Sequence, residues 1–86
     1  MNTSPKNRTL IERLRFADRI YVELNTGDVL SLPYDYTKRL EKASPEELEA
    51  YRLIGGGRGV HFPLIDEDIS LEGIIRYKTS HELLAS

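Results

Sequence analysis

Between Leu14 and Leu24 the apolar side chains recur at spacing two: Leu14 and Phe16, then Ile20, Val22 and Leu24, with charged or polar residues between them. Successive residues of an extended chain point to opposite faces, so this alternation is the mark of half-buried strands. It predicts two short strands joined around Ala17-Asp18. Asn25-Thr26-Gly27-Asp28 then supplies turn chemistry, with Gly27 able to take positive φ, before Val29–Leu32 returns antiparallel. Pro33 has no N–H to give to a ladder and should close the third strand or lie on its edge. A three-stranded meander follows from these residues.

Beyond Pro33 the period changes. Tyr36, Leu40 and Ala43 are spaced four and three apart, which fits a short helical segment over one sheet face. Ser44-Pro45-Glu46-Glu47 places Ser at the N-cap, Pro at the first helical position and Glu at the third, a capping box. It predicts a helix from Pro45 to about Ile54, stopped by Gly55 in a left-handed conformation. Val60-His61-Phe62-Pro63 is short and β-prone, a fourth strand or an extended crossing. Ile69, Leu71, Ile74 and Ile75 then suggest the buried side of a final helix capped by Asp68 or Ser70. Residues 1–10 are expected to form a mobile arm and residues 77–86 a frayed tail. The fold class expected over residues 11–76 is a single α+β domain: an antiparallel three-stranded β-meander, two or three short helices and an extra short strand.

The chain has 86 residues, enough for one core that buries roughly 60–65% of the surface the unfolded chain exposes. Stability of about 4–13 kcal/mol is expected, with little room for a deep, preformed substrate cavity, which usually needs about 300 Å³ or more. A formal net charge of −2 offers no overall attraction to nucleic acid or an anionic membrane. Its distribution is uneven. Lys6, Arg8, Arg13, Arg15 and Arg19 stand against Glu12 and Asp18 in the first twenty residues, whereas Asp66, Glu67, Asp68 and Glu72 have no basic neighbour between residues 61 and 72. The chain has no Cys, hence neither a disulfide framework nor a thiolate metal site. No apolar run approaches the roughly 18 residues of a membrane span, and the polar start is unlike a signal peptide, so the expected location is the cytoplasm.

Three groups of residues invite a chemical reading. The glycines at 55, 56, 57 and 59 could expose backbone N–H groups to an anion, but they follow a helix signal and lack the Gly-Lys-Ser/Thr of a phosphate loop; a structural turn is the better reading, with Arg58 an exposed contact. His61 with Asp66, Glu67 and Asp68 could bind a hard or borderline metal or move a proton. Neighbouring side chains of an extended segment alternate, however, so three consecutive carboxylates cannot face one point, and helix capping or partner contact is favoured. Tyr34 and Tyr36 flank Asp35, and with Arg39 they suit a recognition surface or a core lid. No Ser lies in a nucleophile elbow, and no cofactor is implied.

The runs Ser31-Leu32-Pro33-Tyr34, Arg39-Leu40-Glu41-Lys42-Ala43-Ser44-Pro45-Glu46-Glu47 and Tyr51-Arg52-Leu53-Ile54-Gly55, and above all Gly57-Arg58-Gly59-Val60-His61-Phe62-Pro63-Leu64-Ile65-Asp66-Glu67-Asp68-Ile69-Ser70-Leu71-Glu72-Gly73-Ile74-Ile75, resemble the bacterial domain of unknown function 2442 over about residues 12–76. Phe62 stands where that family usually has Trp, which keeps an aromatic filler but removes an indole donor. The resemblance implies no activity. It implies small bacterial proteins, commonly encoded beside another small domain in what look like toxin–antitoxin pairs. The reading that follows is a non-enzymatic protein-binding module, antitoxin-like, whose partner is a small protein encoded by an adjacent gene, with Tyr34, Tyr36, Arg39, Arg58, His61, Phe62, Asp66, Glu67 and Asp68 as candidate contacts. A homo-oligomer is compatible with it; a membrane or nucleic-acid partner is not expected. Two other classes stand against it: a metal- or anion-dependent enzyme centred on His61 and Asp66–Asp68, and a nucleic-acid-binding accessory that uses the basic N-terminal arm.

Overall fold

The computed structural model describes residues 8–85, and the side chains of residues 8–80. In chain order the elements are β1 (Ile11–Phe16), β2 (Ile20–Leu24), β3 (Val29–Leu32), a 3-10 turn at Tyr34–Tyr36, α1 (Lys38–Lys42), α2 (Pro45–Glu49), β4 (Arg52–Ile54), β5 (Gly59–Phe62), β6 (Glu67–Ser70) and α3 (Leu71–Ala85). The strands form two antiparallel sheets, ordered β1-β2-β3 and β4-β5-β6. This is an α+β fold whose first sheet is the expected meander.

Period-two alternation sets the register of that sheet. Leu14 lies opposite Val22, Phe16 opposite Ile20, and Ile20 opposite Leu32, so one face is apolar throughout. A β-bulge between Ile11 and Arg13 inserts one residue into β1, which lets Ile11 and Leu14 both turn inward despite their odd spacing. On the outer face the Nε atoms of Arg13 and Arg15 donate to the two carboxylate oxygens of Glu23 at 2.6 and 2.8 Å. Those hydrogen bonds, Arg13's first, hold the Glu23 carboxyl below its usual range. The Arg15 guanidinium also lies 4.8 Å from the Tyr21 ring centroid. Two of the basic residues concentrated in the first part of the chain are thereby engaged within the sheet.

The capping box forms as the sequence predicts: Ser44 Oγ accepts from Glu47 N at 3.1 Å, and Glu47 Oε1 accepts from Ser44 N at 2.9 Å. The helix it starts is shorter than expected, ending at Glu49 and not near Ile54. Arg52–Ile54 instead pairs with β5, and Gly55 belongs to the hairpin turn between them, not to a helix stop. Gly55, Gly56 and Gly57 all take positive φ there, so three residues without a Cβ penalty favour a reversal over another helical turn. Pairing with β5 satisfies the backbone that an extended α2 would have used.

The second sheet packs against the first through a few specific contacts. Gly57 comes so close to β1 that a Cβ on it would lie 2.6 Å from Ile11 O, and the Ile11 N–H donates to Gly57 O at 2.8 Å. The Tyr51 hydroxyl reaches the free edge of β1 and accepts from Leu14 N at 3.0 Å. Leu71 N donates to Arg58 O at 2.8 Å, fixing the start of α3 on the same turn. Val60, Phe62 and Ile69 turn inward and join Leu71 and Ile74 in one core with Ile20, Val22, Leu32 and Leu40.

Two chain segments differ from expectation near the ends. The helix α3 continues through Ala85 where a frayed tail was expected from residue 77; the Tyr77 ring meets Tyr36 edge-on, with centroids 4.9 Å apart. Ser70, the last residue of β6 and one of the two offered caps, accepts from Gly73 N at 2.9 Å, whereas Asp68, the other, lies within β6 opposite His61. Of the expected N-terminal arm, residues 1–7 lie outside the described residues. Arg8 and Leu10 are tied to the β2–β3 turn: Leu10 N donates to Asn25 Oδ1 at 2.9 Å, and Asn25 Nδ2 donates to Arg8 O at 2.8 Å. Among the described residues no helix is long and apolar enough to cross a membrane.

Candidate binding surface

Strand alternation disperses the acidic run Asp66-Glu67-Asp68. Asp66 lies in the β5–β6 turn at φ +53°, where Arg39 Nη1 donates to its carbonyl oxygen at 2.6 Å. Glu67 stands opposite Phe62, on the same side of β6 as the buried Ile69. Asp68 stands opposite His61, whose Nδ1 lies 2.5 Å from its Oδ1. Thus His61 meets one carboxylate of the three. Among the described residues no group of three His, Asp or Glu side chains is placed to hold a metal ion.

The other candidates fall into two kinds. Phe62 is fully buried, so its ring lies beneath the surface and not on it. Tyr36 packs on Tyr77, and burial first, then the neighbouring Tyr77, pushes its phenol pKa up. Arg58, His61 and Asp68 remain on the outside of the second sheet, and Arg52 stands beside them opposite His61. Sequence reasoning missed Arg52 because it placed that residue in a helix; the signal available was a glycine-rich turn between two short β-prone runs.

Tyr34 has a different setting. It follows the strand-ending Pro33, and its hydroxyl donates to Ala17 O at 2.7 Å, bridging the β1–β2 turn to the helical side of the molecule. Its ring, with Phe16, Leu40 and Leu48, walls a depression of about 470 Å³ whose edge carries Glu41 and Glu49. Each short helix contributes one buried Leu to the wall and one exposed Glu to the rim. Burial pushes the Tyr34 phenol pKa up, and the negative charges of Asp18 and Glu49 push it further. The two acidic groups therefore act on the same ring from the β1–β2 turn and from α2. Apolar walls under a negative field can accept an apolar anchor flanked by cationic groups. Tyr34 was singled out from the sequence; Glu41 and Glu49, which share its depression, were not, because in sequence they are two ordinary charged helix positions.

A sequence profile for a family described as protein of unknown function (DUF2442) matches residues 11–80. No curated protein matches the chain. A crystal structure of a protein of unknown function from Rhodospirillum rubrum superposes with a TM-score of 0.71 at 30% identity, covering 81% of this chain and 88% of that one. The solution NMR structure of an uncharacterised protein from Chromobacterium violaceum has the same fold, with a TM-score of 0.71 at 23% identity, over 84% of this chain and 69% of that one. The family match runs from the first residue of β1 into α3 and takes in both sheets and the helices between them, and the chain belongs to the DUF2442 family of proteins of unknown function.

Proposed function

We propose that this chain is a protein-binding module that seats a basic, apolar-anchored segment of a small partner protein in the depression beside Tyr34. The observation that carries this reading is the combination of apolar walls from Phe16, Tyr34, Leu40 and Leu48 with carboxylates at Glu41, Glu49 and the neighbouring Asp18. An aliphatic or aromatic side chain entering the depression would displace water from apolar surface, at about 25 cal/mol per Å² removed from solvent. Lys or Arg residues on either side of it would meet the rim. Exposed rim charges act mainly on encounter rate and selectivity, so binding should weaken with salt. In this reading the partner is the product of the adjacent gene, in an antitoxin-like arrangement; what supports that part of the proposal is the resemblance in sequence to the family.

The test is a titration of the isotopically labelled chain with the product of the adjacent gene, followed by NMR. Amide shifts should concentrate at Ala17, Leu40, Ala43 and Leu48. The double reversal Glu41→Lys with Glu49→Lys should weaken binding about tenfold while leaving the spectrum of the free protein folded. Shifts confined to the second sheet, or unchanged affinity of the double variant at low salt, would refute this assignment of the surface.

A further inference from the structure

The outer face of the second sheet has a charge pattern that fits its own mirror order. Strand register places Arg52, His61 and Asp68 side by side in one cross-strand row, and Ile54, Gly59 and Ser70 in the next row on the same face. The first row runs from a cation on β4 to an anion on β6. Arg52 is exposed and forms no ion pair among the described residues. In the second row Gly59 leaves the centre without a side chain, and Ile54, 43% exposed, leans over it. A shallow depression of about 370 Å³ lies there, lined by Ile54, Arg58, Gly59, Asp68 and Ser70.

We infer that this face joins two copies of the chain about a twofold axis parallel to β5. Such an axis, lying between two facing sheets, carries β4 of one copy over β6 of the other and β5 over β5. Arg52 of each copy then faces Asp68 of its partner copy, twice per dimer, while His61 meets His61 on the axis. The two Ile54 side chains enter the space above the two Gly59 residues and cover each other. A twofold axis perpendicular to β5 would not bring β4 over β6, so the charge order of the row selects the geometry as well as the occupant. The interface is isologous, as most soluble homodimers are. It lies on a different surface from the depression beside Tyr34 and stands independently of that reading.

A three-stranded face is smaller than a standard interface of about 800 Å² per partner, so the association should be weak and concentration-dependent. Sedimentation velocity of the full chain from about 10 µM to about 1 mM, the range suited to such an interface, should show a monomer–dimer equilibrium. Arg52→Asp places carboxylate against carboxylate and Asp68→Arg places guanidinium against guanidinium, so each variant alone should self-associate at least tenfold more weakly. Mixed in equal amounts, the two variants should form a heterodimer with near-original affinity, because Asp at 52 then faces Arg at 68 and the unaltered Asp68 faces the unaltered Arg52. Circular dichroism of each variant checks folding, and the Arg52→Glu and Asp68→Lys pair repeats the design with other side chains. A wild-type chain that stays monomeric at about 1 mM, single variants that dimerise as before, or folded variants that fail to associate on mixing would each overturn the inference.

Discussion

Replacing Tyr51 with Phe removes one oxygen atom from the seam between the two sheets and leaves the ring in place. The hydroxyl accepts from Leu14 N at 3.0 Å, with Leu14 O 3.5 Å away on the same side, so it closes a stretch of the β1 edge that has no neighbouring strand. Without it the Leu14 N–H is left unpaired in a partly buried setting. Leaving such a donor unsatisfied costs about 1–3 kcal/mol, and partial access to water puts this case near the lower half, about 1–2 kcal/mol. For a domain of this size that corresponds to a fall in Tm of about 5–12 °C. Urea denaturation followed by circular dichroism reads the loss, and hydrogen exchange at the Leu14 amide locates it. Tyr34→Phe is the control, since the Tyr34 hydroxyl bonds Ala17 O at the surface, and it should change stability by no more than about 0.5 kcal/mol. A Tyr51→Phe variant within about 0.3 kcal/mol of the parent, with unaltered exchange at Leu14, would refute the role given to this hydroxyl.

Ser44→Ala should cost about 0.5–2 kcal/mol in chemical denaturation because it unpairs the Glu47 N–H at the start of α2; an unaltered midpoint would contradict that cap. At position 66, where φ is +53°, Asp66→Asn and Asp66→Gly should stay within about 0.5 kcal/mol, whereas the β-branched Asp66→Val should lose at least about 1 kcal/mol in thermal unfolding. Equal losses for Val and Gly would mean that backbone geometry does not limit this turn. Because the folded state raises the Tyr36 pKa, the fold favours the neutral phenol. The resulting stability is fully present below the unfolded tyrosine value of about 10 and is lost as pH rises through the folded value. Tyr36→Phe should therefore make the alkaline decline of stability shallower, and an identical slope would remove Tyr36 from that account.

The first sheet was legible because its apolar positions repeat with period two over three consecutive segments, a pattern that neighbouring residues carry by themselves. Ser44 was legible for the same local reason. By contrast β4 has three residues, too few for a period, and its existence depends on pairing with β5 across a turn. Leu53 and Ile54 therefore resembled the apolar side of a helix that the capping box had already begun. The Asp-Glu-Asp run carried both strand and helix-cap signals, and the contest was decided by pairing with His61 and Phe62. Of the depression beside Tyr34, the aromatic was readable, but the convergence of Phe16 with residues from α1 and α2 is a matter of tertiary packing. The Arg52-His61-Asp68 row was hidden because no local pattern sets three residues from three strands abreast.

Each sheet joins only strands that are consecutive in the chain, through short reversals at 17–19, 25–28, 55–58 and 63–66. Little loop-closure entropy has to be overcome before either meander can form, and such hairpins assemble in about 1–10 µs. The contacts that must wait are those between the halves: Gly57 with Ile11 and Tyr51 with Leu14. Folding speed should then depend on how soon these two contacts dock two locally formed units, and changes confined to either meander's outer face should leave that speed nearly untouched.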